Sequence, residues 1–368
     1  MPRSALPRVL HFVTGGFTGG ATQVAVKLVT AAGERGDAEA LLVVRRKRHT
    51  DSRRIDELRE RRLPIATVPG WSHLATVLAL VRLCRQFRPD VLIAHGFSEH
   101  LWGRYAGLLA GVPHLVHVEH NTRERYTRWR LAQARWLAAR TARIIGCSEG
   151  VRLRLLELGF PAERVMAIDN GINLGLFATE GTRPIIERDP SILMVARFAR
   201  QKDHATLLRA IALLRERGLR PAVYLAGGGR DNHRRAVEAL GRQLGIEDQV
   251  HCLGVVRDIP QRLGNTRIAV LSTLYEGMPL ALIEGMAAGC AVVGSRVPGV
   301  QEIIDPGVNG LLAEPRDPPS LAAALEALLR DDALAAKLGT EARRQAFAHY
   351  DLSRMAEEYS VMVAQILR

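Results

Sequence analysis

The sequence predicts an α/β protein of two doubly wound domains, with parallel strands that face a central cleft. Short apolar runs alternate with amphipathic stretches of helical length, the pattern of parallel strands joined by crossover helices. This alternation of strands and helices stops at a segment rich in glycine, proline and charged residues, and a second alternation begins after it. The chain has 368 residues, and at about 100–200 residues per domain this length also predicts two domains.

The first domain is predicted over residues 1–170. Strands are assigned to short apolar runs bounded by turn residues, and helices to longer stretches with apolar residues every three or four positions. The predicted strands are residues 9–13, 40–44, 91–95, 115–118, 143–147 and 165–168. The predicted helices are residues 20–32, 74–87, 99–110, 125–139 and 149–158.

Residues 171–190 show neither the apolar run of a strand nor the three-to-four-residue repeat of a helix, and they are predicted to form a hinge or linker. The second domain is predicted over residues 191–349. Its predicted strands are residues 191–196, 222–226, 250–253, 268–271 and 291–294. Its predicted helices are residues 203–217, 230–244, 279–288, 320–330 and 333–348. Ligands of open α/β sheets bind beyond the carboxyl ends of the strands, so the cleft between the two domains is the predicted binding site.

The composition, 47% hydrophobic and 24% charged, is that of an ordinary globular protein. No apolar run approaches the roughly 20 residues needed to span a bilayer, and the run at residues 9–13 is too short for a signal peptide. We therefore expect a soluble chain that begins at or near Met1. The four cysteines lie far apart, which favours a reducing cytoplasm over a disulfide framework or a zinc site.

The formal net charge of +13 is concentrated in the first half of the chain. Residues 1–175 hold 27 basic against 15 acidic residues, whereas residues 176–368 hold 24 against 23. This asymmetry predicts that the first half faces a polyanion or an anionic membrane. An arginine-rich codon bias is the alternative, because only four of the 51 basic residues are lysines. No nucleic-acid-binding signature accompanies the charge, so a nucleic-acid partner is not predicted.

Two glutamates, Glu276 and Glu284, enclose seven residues at a point where a predicted strand and loop give way to a helix. Pro279 suits the first turn of that helix, where its missing N–H costs nothing. The backbone N–H groups of the intervening loop would then face an anion. A carboxylate such as Glu284 can accept protons from two neighbouring hydroxyls, as it does from a ribose diol. Helix capping or pairing with an arginine is the alternative for both glutamates.

Arg197 and Lys202 close the first predicted strand of the second domain, and Asp203 is predicted to cap the helix that follows. Arginine and lysine in this position suit a pyrophosphate leaving group. The first turn of the chain, residues 14–20, contains four glycines and would let the backbone approach a ligand closely. It lacks the full G-x-G-x-x-G spacing, so a nicotinamide cofactor is not predicted.

In combination and in this order, these motifs resemble the retaining, GT-B-fold glycosyltransferases of family 4, the glycosyl transferases group 1. The resemblance rests on the glycine loop, the two cations, the two glutamates and a tail at residues 307–317, and it covers residues 9–359. It implies two Rossmann-like domains and a final helix, residues 350–368, that crosses back to the first domain. It also implies transfer of a hexosyl unit from a nucleotide-diphosphate sugar, with no cofactor and no metal.

The resemblance implies catalytic roles for His120, Arg197, Lys202 and Glu276. Arg197 and Lys202 would bind the diphosphate and stabilise the charge that develops as it leaves. Glu284 would hold the ribose, and Glu276 and His120 would contact the donor sugar. His120 is preferred to His117, whose alternate position points it into the strand. The other implied donor-binding residues are Gly19, Gly20, Gly277, Met278, Pro279 and Leu280.

Further residues match positions that line the cleft in this family: His95, Glu99, Ser148, Asn170, Gly228 and Arg230. His95 and Glu99 would line the acceptor side, whereas turn chemistry is the alternative for Ser148 and Asn170. The family often has Gly-Asp-Gly where Gly228 stands here, and Arg230 would help to bind phosphate. The family loop often ends in Gly-Gly-Ala-Glu, and its glutamate has no counterpart here.

The sequence positions no obvious carboxylate nucleophile, so we expect front-face attack, in which the departing phosphate oxygen takes the acceptor proton. An enzyme or protein of another class, a GT-B-fold sugar-nucleotide epimerase or a non-catalytic sugar-nucleotide-binding protein, is the alternative.

Two basic stretches, residues 45–62 and 123–136, hold much of the positive charge of the first half. The second stretch combines arginines with Tyr126, Trp129 and Trp136 on a predicted helix, as interfacial helices do. This pattern predicts peripheral contact with the inner face of the cytoplasmic membrane. It also predicts a lipid-linked or cell-envelope saccharide acceptor, as in polysaccharide or lipopolysaccharide assembly. A solvated helix whose tryptophans pack inward is the alternative.

Overall fold

The computed structural model describes residues 6–17, 19–48, 50–123, 126–179 and 183–368. It divides the chain into two compact units. The N-terminal unit comprises Met1–Gly171 and Leu352–Arg368, and the C-terminal unit comprises Ile172–Asp351. The predictions that involve Thr18, Glu124 and Arg125 lie outside the described residues, as do positions 180–182 of the expected linker.

The described part of the N-terminal unit contains a parallel sheet of seven strands. They are β1 (Arg8–Thr14), β2 (Glu39–Arg46), β3 (Ile65–Pro69), β4 (Val91–His95), β5 (His114–Glu119), β6 (Arg143–Gly146) and β7 (Val165–Ala167). Their order across the sheet is β3-β2-β1-β4-β5-β6-β7. Six of the seven match predicted strands. The seventh, β3, is an edge strand with one fully buried residue, so it lacks the continuous apolar run by which the others were predicted.

Helices connect these strands. They are α1 (Gly20–Arg35), α2 (Ser52–Glu60), α3 (His73–Phe87), α4 (Phe97–Ala110), α5 (Arg128–Ala138) and α6 (Glu149–Glu157). The side chains of Asp51 and Ser72 accept hydrogen bonds from backbone N–H groups at the starts of α2 and α3. Helix α2 escaped prediction because only Ile55 and Leu58 are buried in an otherwise polar segment.

The described part of the C-terminal unit contains a second parallel sheet, of six strands. They are β8 (Asp189–Val195), β9 (Val223–Ala226), β10 (Val250–Gly254), β11 (Thr266–Leu271), β12 (Ala291–Ser295) and β13 (Leu311–Ala313). The strand order is β10-β9-β8-β11-β12-β13. The helices of this unit are α7 (His204–Glu216), α8 (Asp231–Gln243), α9 (Ile259–Asn265), α10 (Leu280–Ala287), α11 (Pro318–Arg330) and α12 (Asp332–His349). The short elements α9 and β13 are absent from the sequence prediction.

The last helix, α13 (Leu352–Ile366), belongs to the N-terminal unit, although the chain reaches it from the C-terminal unit. It buries Met355, Tyr359 and Met362. The sulfur of Met355 accepts a hydrogen bond of 3.3 Å from the backbone N–H of Gly171, the residue at which the chain leaves the same unit. Among the described residues, no helix combines the length and the apolar character needed to cross a membrane.

Each sheet has one point at which the strand order reverses. In the N-terminal unit the reversal lies between β1 and β4, and in the C-terminal unit it lies between β8 and β11. Parallel strands end at the same edge of a sheet, so the loops after these strand pairs are neighbours. Ligand sites of doubly wound sheets lie at this edge.

Helix α4 lies close against the N-terminal sheet because its inward face carries glycine. A Cβ atom on Gly103 would lie 2.8 Å from Cβ of Ala94 and 2.9 Å from the Phe12 ring, both closer than side chains normally approach. A Cβ on Gly107 would overlap Cδ2 of Leu115. The close approach fixes the start of α4 near the carboxyl end of β4.

We predict that Gly103→Ala lowers the free energy of unfolding by about 1–3 kcal/mol, because overpacking the core outweighs the gain in helix propensity. Gly241→Ala in α8 is the matched control, since its Cβ would meet the nearest atom at an ordinary 3.9 Å. That variant should gain up to about 1 kcal/mol. Urea denaturation of both variants checks this, and equal effects would contradict the close packing of α4.

Candidate functional site

Arg197 and Lys202 lie in the loop after β8, at the reversal point of the C-terminal sheet. The Lys202 ammonium is 2.5 Å from Oε1 of Glu276, which lies in the loop after β11. Both side chains are largely buried, with 14% and 8% of their surface exposed. Arg197 is exposed, and the described residues offer its side chain no hydrogen bond or ion pair. One cation is therefore fixed to a carboxylate and the other is available to a ligand.

The loops after β8 and β11 are joined by further hydrogen bonds. The backbone N–H of Leu274 donates to the carbonyl of Gln201 at 2.9 Å, and the Gln201 amide donates to the carbonyl of Tyr275 at 2.7 Å. Within the loop after β11, the hydroxyl of Thr273 donates to Oε1 of Glu276 at 2.7 Å. The two loops consequently hold the Lys202 and Glu276 side chains in a defined position, which is the preorganisation that electrostatic catalysis requires.

Asp203 occupies the N-cap position of α7, as predicted, but its side chain does not cap the helix. Its backbone is left-handed, with φ of 33°, and its carboxylate accepts from the Thr206 hydroxyl at 2.8 Å instead of from a backbone N–H. The next residue, His204, is buried and stacks on Phe198 at 4.9 Å. Burial and, secondarily, the nearby Lys202 charge lower the pKa of His204 to about 4, so this histidine is neutral beside the cationic loop.

The loop from Glu276 to Pro279 leads directly into α10. Pro279 is the N-cap of α10, and no side chain caps its first turn. A helix start of this kind attracts anions, because its N–H groups and its dipole both favour negative charge. Leu280 and Met278 are buried, and Glu284 lies half-buried one turn into the helix. Gly299, with φ of 81°, packs so tightly on Gly277 that a Cβ would overlap the Gly277 carbonyl.

Gly228 lies in the loop after β9, next to the Arg197 loop. The Phe198 N–H donates to the Gly228 carbonyl at 2.7 Å, which extends the pairing of β8 and β9 beyond the strand ends. A Cβ on Gly227 would overlap the Ala196 carbonyl, so only glycine permits this approach. Arg230 is exposed at the N-cap of α8. The C-terminal unit thus brings Arg197, Lys202, Gly228, Arg230, Glu276 and the start of α10 to one edge of its sheet.

In the N-terminal unit, Gly19 and Gly20 form the start of α1 after β1. Gly19 is the N-cap and has no side chain to satisfy the first N–H groups of the helix. The backbone N–H of Gly19 donates to the Gly16 carbonyl at 2.8 Å. No atom lies within 4 Å of the position that a Cβ on Gly20 would take. The structure therefore leaves open space beside this turn.

His95 is the last residue of β4 and His120 follows the adjacent strand β5, and the two side chains contact each other directly. Nδ1 of His95 is 3.2 Å from Nε2 of His120, and the two rings stack at 5.5 Å. Burial lowers the pKa of His120 to about 4. His117 is fully buried within β5, in agreement with its predicted inward position.

Glu99, near the start of α4, is buried in a network of ions. Its Oε1 atom is 3.4 Å from Arg45 and 3.0 Å from Lys47. Arg45 is only 2% exposed and also contacts Nδ1 of His73 at 2.9 Å. Arg45 therefore does not belong to the exposed basic stretch that the sequence suggested, because its charge is balanced inside the unit.

Ser148 and Asn170 are both buried near the ends of β6 and β7. The Ser148 side chain accepts from the Val151 N–H at 3.3 Å and so caps α6. The Asn170 N–H donates to the Cys147 carbonyl at 3.3 Å. The Ser148 contact is a local helix cap, and the Asn170 contact joins the chain after β7 to the end of β6.

Tyr126 is not part of the predicted interfacial helix, because α5 begins at Arg128. Its hydroxyl is bound inward. It lies 3.0 Å from Nε2 of His100 and donates to Oε2 of Glu119 at 3.4 Å. The fully buried Arg104 lies 2.6 Å from Nδ1 of His100. Glu119 in turn accepts from the backbone N–H of His120 at 2.9 Å. This network ends at the backbone N–H of His120.

Within the described residues, His100, His117 and Glu119 form one group whose donor atoms lie within 4.8 Å of each other. Both ring nitrogens of His100 are already hydrogen-bonded, and the adjacent Arg104 guanidinium adds a positive charge. This donor set does not fit a divalent cation.

Several residues that shape these edges were not predicted. Gln201 and Gly299 act through contacts with residues distant in sequence, and Thr273 acts on Glu276 three residues away, but no recognisable sequence motif marks them. His11 interrupts the apolar run of β1, which is a signal that sequence reasoning could have used, but its partner His95 lies 84 positions away.

Both units match known protein families. The family model described as Glycosyl transferases group 1 matches residues 180–345, and the model Glycosyltransferase Family 4 matches residues 18–176. Putative glycosyltransferase EpsF of Bacillus subtilis is 29% identical over 323 residues, which cover 83% of each chain. The lipopolysaccharide core biosynthesis glycosyltransferase LpsE of Rhizobium meliloti is 26% identical over 97% of this chain and 99% of its own.

Among solved structures, Anabaena HepE in complex with UDP and glucose superimposes with a TM-score of 0.85 at 20% identity, over 98% of this chain and 100% of HepE. Sucrose-phosphate synthase of Thermosynechococcus elongatus superimposes with a TM-score of 0.80 at 19% identity, over 98% and 99% of the two chains. Two Rossmann-like units with parallel sheets and these neighbours identify the fold as GT-B. The chain therefore belongs to the group 1 glycosyltransferases, and it is a transferase enzyme.

Proposed function

We propose that this enzyme transfers a hexosyl unit, with retention and without a metal ion, from a nucleotide-diphosphate sugar to a lipid-linked saccharide acceptor. The observation that carries the proposal is the edge of the C-terminal sheet, where Lys202 is fixed to Glu276 while Arg197 is exposed and unpaired. A diphosphate matches this arrangement, because arginine can bind it bidentately while lysine supplies a fixed charge.

In this proposal the diphosphate lies between Arg197, Lys202 and the start of α10. The ribose hydroxyls bind the Glu284 carboxylate, which projects from the second turn of that helix. Arg230 and the backbone at Gly228 extend the positive edge. Glu276 orients the Lys202 ammonium and contacts the sugar. Gly277 and Pro279 shape the turn between Glu276 and α10. In the N-terminal unit, His120 is proposed to contact the donor sugar, and Gly19 and Gly20 to contact the donor.

Uridine is the proposed base. HepE was solved with UDP, and a 26% identical Escherichia coli relative covering 71% of this chain is named a UDP-Gal-dependent α-1,3-galactosyltransferase acting on a diphosphoundecaprenol-linked acceptor. Both names concern those proteins, and they are the reason for choosing UDP as the ligand in the binding experiment on this one.

We predict that wild-type protein binds UDP in the presence of EDTA and that Arg197→Ala raises the Kd about ten- to a hundredfold. This range corresponds to the roughly 1.5–3 kcal/mol of a hydrogen bond to a charged group. Glu284→Ala should cause a similar loss through the ribose. Isothermal titration calorimetry measures the UDP affinity of the wild type and of both variants.

Arg242→Ala is the matched control for this experiment, because Arg242 is exposed in the last turn of α8, away from the β8 and β11 loops. It should bind UDP as the wild type does. Equal affinity in Arg197→Ala and Arg242→Ala would contradict the proposed diphosphate site.

The transfer proceeds by front-face attack. Arg197 and Lys202 stabilise the negative charge that appears on the diphosphate as the bond to the sugar lengthens. The acceptor hydroxyl attacks from the same face, and its proton passes to the departing phosphate oxygen. The anomeric configuration is thereby kept, and no covalent bond to the protein is needed.

NMR of the product formed from an α-linked UDP-hexose should show an α-glycoside, and EDTA should leave the rate unchanged. A β-linked product would rule out retention. A rate that falls with EDTA and recovers with added Mg²⁺ would rule out metal independence.

The proposed acceptor side carries an apolar strip on the N-terminal unit. We define this strip by Trp71, Leu74, Leu78, Trp129 and Trp136, which are between 49% and 84% exposed. Its helices lie side by side: His73 of α3 stacks on Trp102 of α4 at 4.3 Å, and Tyr105 of α4 stacks near Trp136 of α5 at 6.2 Å. Exposed apolar side chains in such number mark an interaction surface.

Arginines flank the apolar strip. The Arg140 guanidinium lies 3.9 Å over the Trp136 ring, and Arg128 and Arg82 are exposed on α5 and α3. Aromatic and basic side chains together suit the headgroup region of an anionic membrane, where each basic residue contributes about 1 kcal/mol. A membrane-docked enzyme would meet a lipid-linked acceptor without extracting it from the bilayer.

We predict that the protein co-sediments with vesicles containing anionic phosphatidylglycerol and that high salt weakens this binding, since salt screens surface charges. Replacing Trp71 and Leu74 with serine should abolish sedimentation at low salt. Val255→Ser is the control, because Val255 is 68% exposed in the C-terminal unit. Loss of binding in the control, or none in the wild type, would contradict membrane docking.

A further inference from the structure

Three histidines of the N-terminal unit form a continuous hydrogen-bonded row across neighbouring strands. Nδ1 of His11, in the middle of β1, is 3.0 Å from Nε2 of His95 at the end of β4. Nδ1 of His95 is 3.2 Å from Nε2 of His120, just after β5. Successive rings are stacked, with centroids 5.3 Å and 5.5 Å apart. We call this set the histidine row.

The histidine row is uncharged at neutral pH. Burial lowers the pKa of His11 to about 3 and that of His120 to about 4. Burial, reinforced by the neighbouring histidines, also holds the pKa of His95 well below its usual value. Each ring therefore carries one proton, on either Nδ1 or Nε2.

One proton must lie in each of the two contacts between rings. If His120 is protonated on Nε2, it donates to Nδ1 of His95, which must then be protonated on Nε2 and donate to Nδ1 of His11. If His120 is protonated on Nδ1, both contacts reverse. In either arrangement all three rings carry the proton on the nitrogen of the same name, so their tautomers are coupled.

The two ends of the histidine row differ. Nδ1 of His120 is buried and has no hydrogen-bond partner among the described residues. His11, at the other end, lines a cavity of about 230 Å³. The polar residues Asp37, Tyr359 and Ser360 also line this cavity, which is large enough for water at about 30 Å³ per molecule.

The cost of an unpaired group selects between the arrangements. Buried N–H groups without a partner are rarer in proteins than buried acceptors without one. The arrangement with Nε2 protonated places its terminal N–H on His11, which lines the cavity together with Asp37, Tyr359 and Ser360, and leaves only a lone pair on Nδ1 of His120. The reverse arrangement would bury an unpaired N–H on His120.

We propose that His11 and His95 are positioning residues that hold His120 protonated on Nε2, so that Nδ1 of His120 accepts a hydrogen bond from a hydroxyl of the bound sugar. This inference rests on the proposed function, in which His120 faces the donor sugar. It adds that Nδ1 of His120 acts as an acceptor and not as a donor because of a group two rings away, His11 at the cavity under α13. No charge forms in the buried site, and no proton leaves the row on binding.

The test is ¹⁵N NMR of protein labelled at histidine, in which the protonated and unprotonated ring nitrogens give separate signals. The wild type should show His11, His95 and His120 all protonated on Nε2. Different tautomers among the three, or protonation on Nδ1, would overturn the proposal without any variant being needed. Adding UDP-glucose should shift the Nδ1 signal of His120, and an unchanged signal would overturn its role as an acceptor.

Variants then test the coupling. His11→Phe keeps the ring but removes the acceptor for His95, so a substantial share of His120 should move to the Nδ1-protonated form. His11→Asn places an amide where Nδ1 was and should restore the wild-type signals. Val363→Ala is the matched control, since Val363 lines the same cavity without touching the row's nitrogens. Identical His120 signals in His11→Phe and Val363→Ala would overturn the proposal.

Binding of UDP separates this inference from the proposed function. All three variants should bind UDP with the wild-type Kd, because the proposed diphosphate site belongs to the C-terminal unit. A wild type that fails to bind UDP would refute the donor proposal, whereas the tautomers of the ligand-free protein would still decide whether the row is coupled.

Discussion

The hydrogen bonds between the loops after β8 and β11 are the feature on which the candidate site depends. Parallel pairing ends both strands at one edge, and the reversal of strand order leaves that edge open between them. The contacts from Gln201 and Thr273 hold the two loops together and fix the Glu276 carboxylate. With them, an ammonium is held against a carboxylate at 2.5 Å, and the charges are in place before a ligand arrives.

The two units present different electrostatics at the carboxyl edges of their sheets. The C-terminal edge combines exposed cations with the start of α10, which suits a charged diphosphate. The N-terminal edge presents a neutral imidazole, His120, in a site where burial disfavours charge. Neutral, directional hydrogen-bonding groups suit sugar hydroxyls, which carry no charge and differ only in where they point. This contrast is the reason for proposing that the C-terminal unit binds the diphosphate and that His120 binds a sugar hydroxyl.

Two of the basic residues counted in the first half of the chain, Arg45 and Arg104, are engaged inside the fold. Arg45 balances Glu99, and Arg104 begins the chain of contacts that reaches the backbone of His120 through His100, Tyr126 and Glu119. Composition therefore counts two positive charges that the surface does not present. What the surface keeps is a smaller set of arginines next to exposed tryptophan and leucine, which is a more specific interaction surface than net charge alone implies.

The sequence by itself determined the α/β class, most strands and helices, and the identity of Arg197, Lys202, Glu276 and Glu284 as candidates. These features are local: an apolar run, a helical period, a loop motif. Only the tertiary structure decided which side chains meet. The pairing of Lys202 with Glu276, 74 positions apart, the inward turn of Tyr126 and the row of His11, His95 and His120 all depend on strand order and register. No pattern within one segment encodes strand order, because it is set by which apolar faces pack together once the whole sheet forms.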